Sequence, residues 1–195
     1  MTTRPSEIID GKYLCFEEVH PEFYDGFVLA EPAQVERFRV KNGLPANLLS
    51  EFTSRESGDE VMKQGVMIWM GGIGPDYYDI VFSNAEHPPF LSREGHRIVL
   101  TAEGYVTNVV DGCLHLFSLR YLEDFGPAAI ASIEKRAEDS NRPRYELTPG
   151  RYGLAIFGGF HGTHRTPVYE FHFQRDPEAE FSGEVNLAFG FESIG

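Results

Sequence analysis

The chain has 195 residues, 42% of them hydrophobic, two cysteines, and 30 acidic against 17 basic side chains, a formal charge of −13. This length and hydrophobic content support a folded core without disulfide staples and exclude disorder of the chain as a whole. So negative a field disfavours direct binding to nucleic acid or to an anionic membrane, and favours a basic partner whose opposite field steers encounter.

Residues 1–7 open no apolar run, and no stretch is long enough to cross a bilayer. Cys15 and Cys113 are too few for a disulfide framework, so the expected setting is reducing and cytoplasmic, with both thiols as small buried hydrophobes. Strands are expected over residues 12–17 and 35–40. Residues 45–52 read as a helix, because Leu48, Leu49 and Phe52 lie near helical spacing. Gly65-Val66-Met67-Ile68-Trp69-Met70-Gly71-Gly72 reads as a strand ending in a glycine pair, and residues 77–82 as the strand that returns from it. Residues 96–101, 105–110, 114–119 and 128–133 add four more strands. Leu147-Thr148-Pro149-Gly150 is a turn, since Pro fixes φ and Gly accepts positive φ. It launches the strand 151–159, and 168–174 alternates apolar and polar as the second arm of a hairpin. Residues 185–191 read as a last strand.

The two hairpins match. Tyr78 aligns with Tyr169, Asp79 with Glu170 and Phe82 with Phe173, and the second copy has four extra residues in its loop, where insertions cost little. Upstream, Asp25-Gly26-Phe27-Val28-Leu29 parallels Asp111-Gly112-Cys113-Leu114-His115, at nearly the offset that separates the glycine pairs. The expected fold is therefore all-β and sandwich-like, built from two duplicated β units, 1–90 and 91–195, either separate or paired in one continuous sandwich.

No motif for covalent chemistry is present. There is no Gly-x-Ser-x-Gly elbow, and Cys113 sits within an apolar strand. The glycine pairs precede strands, whereas a phosphate loop needs a helix after it. His161 and His164 share a loop, with His172 or Asp176 as a third candidate ligand, but a zinc site needs more ligands at defined spacing, and an ordinary polar loop is expected. The paired acids Glu17 and Glu18, Asp59 and Glu60, and Glu178 and Glu180 suit an acidic surface better than a glycosidase cleft. No cofactor, metal or catalytic residue is expected. Trp69 shares the strand phase of Phe157 and reads as core. Asp59, Glu60, Asp76, Tyr77, Tyr78 and Asp79 are the expected partner-binding residues, aromatic anchors beside acids that would meet a basic protein.

One phrase carries a resemblance. Ala129-Ile130-Ala131-Ser132-Ile133, Arg144-Tyr145-Glu146-Leu147-Thr148-Pro149-Gly150-Arg151-Tyr152-Gly153-Leu154-Ala155-Ile156-Phe157 and Val168-Tyr169-Glu170-Phe171-His172-Phe173 together resemble the competence protein J family and related small β proteins found beside bacterial toxins. The resemblance covers about the last third of the chain and carries over structural positions only. It implies an immunity protein or inhibitor that neutralises a basic toxin, such as a nuclease, by occlusion. A carbohydrate- or small-ligand-binding β module built on exposed aromatic platforms is the alternative expectation.

Overall fold

Alternation along the strands sets the architecture. In Gly26–Ala30, every residue is buried, which is possible only if both faces of that strand are covered. The computed structural model describes residues 7–9, 12–18, 26–74, 77–139, 143–160, 167–185 and 188–191. The first half contains β1 (Glu7–Ile9), β2 (Lys12–Glu18), β3 (Gly26–Ala30), α1 (Pro32–Lys41), α2 (Leu48–Ser54), α3 (Ser57–Lys63), β4 (Met67–Gly71) and β5 (Tyr77–Asn84). The second half contains β6 (Arg97–Val109), β7 (Cys113–Ser118), α4 (Pro127–Asp139), β8 (Arg144–Glu146), β9 (Gly150–Phe160) and β10 (Pro167–Arg175). They form a six-stranded sheet in the order β1-β2-β5-β10-β9-β6 and a four-stranded sheet in the order β4-β3-β7-β8. Each sheet takes strands from both sides of residue 90.

The sheets pack face to face through aromatic contacts. Phe27 on β3 meets Tyr78 edge-on at 6.0 Å and Tyr169 at 6.2 Å, and Tyr145 on β8 stacks on Phe82 at 5.1 Å. Phe27 and Leu29 point into this interface, so Val28 and Ala30 point the other way, and the register sets them beside Phe117 and His115. Over that second face lies α4, whose Ile133 and Ala137, four apart, are buried near His115 and Phe117. The protein is mostly β, with two packed sheets, but it is not all-β.

The helices correct two expected strands. Residues 35–40 belong to α1, because Val35 and Phe38 are buried at a spacing of three and Pro32 begins the helix where its missing N–H costs nothing. Residues 128–133 open α4 for the same reason of spacing, and α3 carried no apolar pattern long enough to announce itself. The helix expected over 45–52 is α2, capped by Asn47, whose side chain accepts the Ser50 N–H at 2.9 Å. The strands expected at 96–101 and 105–110 are one strand, β6, with register shifts between Ile98 and Leu100 and between Ala102 and Tyr105.

The β9–β10 hairpin forms as expected, from Pro167 opposite Phe160 to Arg175 opposite Tyr152. The first-half hairpin does not. β4 pairs with β3 in one sheet, while β5 pairs with β2 and, in parallel, with β10 in the other. The C-terminal segment takes the place between them: Gly71 bridges Ala188 in parallel, and its carbonyl accepts the Phe189 N–H at 2.9 Å. A Cβ at Gly190 would lie 2.0 Å from the Gly72 carbonyl oxygen, and Gly72 itself turns at φ +74°, so glycine is needed on both sides of this contact. The strand expected over 185–191 is thereby reduced to that bridge among the described residues. The matched pairs Tyr78 and Tyr169, Asp79 and Glu170, and Phe82 and Phe173 do fall on equivalent faces of the neighbouring strands β5 and β10.

Candidate functional site

α3 places its acids at the surface. Asp59 sits in the first turn, where a negative charge favours the helix, and lies 3.7 Å from Lys63; Glu60 is exposed and accepts the Gln64 side-chain amide at 2.5 Å. A chain of hydrogen bonds then ties this helix to the segment that leaves β10. Asn108 donates its side-chain amide to the Gln64 carbonyl at 2.5 Å and accepts from Arg151 Nη1 at 2.8 Å, and Arg151 Nε donates to the Ala179 carbonyl at 2.6 Å. Ala179 stands between Glu178 and Glu180, both exposed. The Arg151 guanidinium thus links the strap's backbone to the Asn108 side chain, and Glu178 and Glu180 form no ion pair among the described residues. The C-terminal end of the helix bearing Asp59 and Glu60 is thereby linked, through Asn108 and Arg151, to the strap bearing Glu178 and Glu180.

Two other expected contact residues are not at the surface. Tyr78 is 4% exposed, packs on Phe27 and Tyr169, and donates its hydroxyl to the Gly74 carbonyl at 2.9 Å. Asp79 is 3% exposed on the other face of β5. Strand alternation sends one inward and the other beneath the outer cover of the sheet, so neither offers itself to a partner. Asp76, the Tyr77 side chain, His161 and His164 lie outside the described residues. Trp69 is half-buried against the core. The large hydrophobics exposed among the described residues are Val40, Ile98, Val99 and Val110, none aromatic.

The outer face of the six-stranded sheet carries a polar cluster. Glu170, fully buried on β10, accepts the Phe90 N–H at 2.6 Å and the Leu91 N–H at 2.8 Å, and Ser83 donates to it at 2.5 Å. Ser83 Oγ is also 2.8 Å from His172 Nδ1; having given its one proton to Glu170, the hydroxyl accepts from the imidazole. The order is acid, hydroxyl, imidazole. Nucleophilic catalysis needs the imidazole between acid and hydroxyl, and Ser83 is 1% exposed, so this geometry positions groups rather than activating a nucleophile. It pins the 3-10 turn Phe90–Ser92 over Val81, Phe157 and Val168. His96 stacks on Phe90 at 4.6 Å; burial pushes its imidazole below the ordinary range, Arg93 adds to the shift and Glu170 opposes it.

Two further groups are structural. Burial raises the Cys113 thiol, with Arg144 opposing, the reverse of an activated cysteine. His115, 8% exposed beneath α4, is pushed down to about 4 by burial and then by Arg144. It lines a cavity of about 10 Å³ with Ile133, Arg136 and Ala137, too small for anything larger than a water. Among the described residues no group of three or more His, Cys, Asp or Glu side chains could hold a metal, and no helix is long and apolar enough to cross a membrane.

The cluster around Glu170 escaped the sequence, although its acid was visible there as the partner of Asp79 in the matched strands. An acid at the same place in two apolar strands was the available signal. Neither a scan against protein-family models nor searches of curated proteins and of solved structures returned a match.

Proposed function

We propose that this chain is an acidic binding protein that occludes a basic partner, in the manner of an immunity protein or inhibitor of a toxin such as a nuclease. The observation that carries this reading is the surface placement of Asp59 and Glu60 on α3 and of Glu178 and Glu180 on the post-β10 strap, two segments linked through Gln64, Asn108, Arg151 and Ala179. Carboxylates so displayed, on a chain of charge −13, stand in for the phosphates that a nucleic-acid-binding partner would otherwise meet. The likeness of the 144–157 phrase to the competence protein J family supports the same reading. The cytoplasm suits its free Cys113 thiol. The same-face matches between β5 and β10 support descent by duplication of a β unit.

The test is capture from the source organism's lysate on the immobilised chain at low and at high salt, beside a variant carrying Asp59→Lys, Glu60→Lys, Glu178→Lys and Glu180→Lys. The expected result is one basic protein held by the native chain at low salt, released at high salt and ignored by the variant. That protein is then assayed for nuclease activity with and without the chain. Recovery of nothing, or equal recovery by the variant, removes the reading.

A further inference from the structure

α4 lies on the outer face of the four-stranded sheet and is lightly held there. Of its described side chains only Ile133 and Ala137 are buried, with Ala129 and Ile130 half-buried beside them. Among the described residues, its one side-chain hydrogen bond to another element runs from Arg136 Nη1 to the Tyr121 hydroxyl at 2.8 Å. A helix of this length is marginal alone in water, so on so narrow a seam it can open and melt while the core stays folded.

Beneath α4 sits His115, 8% exposed. It shares the cavity of about 10 Å³ with Phe117 and Tyr121 from its own side and Ile133, Arg136 and Ala137 from the helix. Its Nδ1 meets no hydrogen-bond partner among the described residues. A neutral ring can leave that nitrogen a bare acceptor. The imidazolium cannot, and must bury an N–H with nothing to receive it.

The charges nearby add to that cost. Arg144 stands opposite His115 in the β7–β8 register, and Arg136 reaches the cavity from α4. β3 sets only Ala30 beside the ring, and the Tyr121 hydroxyl already accepts from Arg136. Glu31, Glu134 and Glu146 bear on the Cys113 thiol, one step along this face of β7, whereas burial and Arg144 are what bear on His115. The ring therefore takes a proton far more readily with α4 away than with α4 in place.

We propose that α4 is an acid-released cover, freed from the four-stranded sheet when His115 takes a proton, while both sheets stay folded. The open state binds that proton from pH 6.5 downward and the closed state only near 4, so acid favours opening across this window and adds nothing below it. By about pH 5 the opening equilibrium should have risen roughly thirtyfold over its value at about pH 7.5. The acids of α3 and the strap take no part, so the cover stands or falls apart from the function proposed above.

Amide hydrogen exchange on the purified full chain tests it, read by mass spectrometry at about pH 7.5 and about pH 5, with labelling times scaled to the intrinsic rates. Residues 127–139 are expected to lose protection roughly thirtyfold on acidification, while the β9–β10 hairpin keeps its own. His115→Leu should abolish the acid response of the helix. Should that variant fold poorly, Arg144→Gln, at an exposed position, should make the response smaller. Protection of 127–139 that does not change with pH overturns the proposal. So does a loss shared equally by the β9–β10 hairpin, or one that both substitutions leave as large as in the native chain.

Discussion

Glu31 and Glu170 are both buried, at 1% and 0% exposure, and each reaches a turn about eighty residues away in sequence, yet they are satisfied in different ways. Glu31 stands just before α1 and turns its side chain from that helix to the β6–β7 connection. There it takes the N–H groups of Val110, Asp111, Gly112 and Cys113 at 2.7–3.2 Å. Every donor is backbone, and each of its oxygens meets at least two. Glu170 meets only two backbone N–H groups, and its remaining donor is the Ser83 hydroxyl, which is tied in turn to His172. The first clamp is built on backbone alone; the second includes a hydroxyl that can rotate, with an imidazole beyond it. Burial alone therefore does not distinguish the two carboxylates, whereas the identity of their donors does.

The largest expected effect separates the two clamps. Glu31→Gln sets an amide NH2 against at least two backbone donors whichever way it is turned, and should cost about 3–4 kcal/mol in urea unfolding. If that variant unfolds at the native midpoint, Glu31 is not the clamp described. Next comes an acid-dependent loss that lies outside both clamps and has to be subtracted from any pH comparison of them. His115 is held at about 4 in the folded chain against an ordinary 6.5, so the unfolded chain takes the proton first as pH falls. Its contribution is intact above pH 6.5, drains away between 6.5 and about 4, and is constant below; at most it amounts to about 3 kcal/mol. Other carboxylates titrate in the same window, so the difference between the native chain and His115→Leu isolates it. Equal pH slopes for the two would refute the assignment.

What could be read in the sequence follows from what is local. The strands with a clear period of two and a Pro-Gly turn, 151–159 and 168–174, are β9 and β10, because alternation and turn chemistry act over neighbouring residues. Val35 to Val40 misled because its β-branched residues suggest a strand, while the spacing of Val35 and Phe38, which decides the buried face, is helical. β4 and β5 misled for a different reason: their partners, β3 for the one and β2 and β10 for the other, lie elsewhere in the chain, and no local pattern announces them. The site divided in the same way. Asp59 and Glu60 were legible as exposed acids on a polar stretch, and Tyr78 was misjudged because its loop was taken for a hairpin tip. The link from α3 through Asn108 and Arg151 to the strap joins four distant parts of the chain and left no trace in spacing.

The smaller effects fall on the Glu170 clamp. Glu170→Gln can give its amide protons to Ser83 and its oxygen to one backbone N–H, so a single donor is left opposed. It should cost about 1–2 kcal/mol, roughly half the loss at Glu31. Ser83→Ala removes the hydroxyl alone and leaves both backbone bonds, for about 1 kcal/mol. Stability gives only the size of that last effect; the imidazole gives its nature. With the hydroxyl present, His172 Nδ1 has a fixed acceptor and hence a fixed proton position. Ser83→Ala removes that acceptor, and the His172 ring signals in a nitrogen-edited NMR spectrum should shift. An imidazole spectrum unchanged by Ser83→Ala would mean that Ser83 does not hold His172. The clamp at Glu170 would then end at the Ser83 hydroxyl.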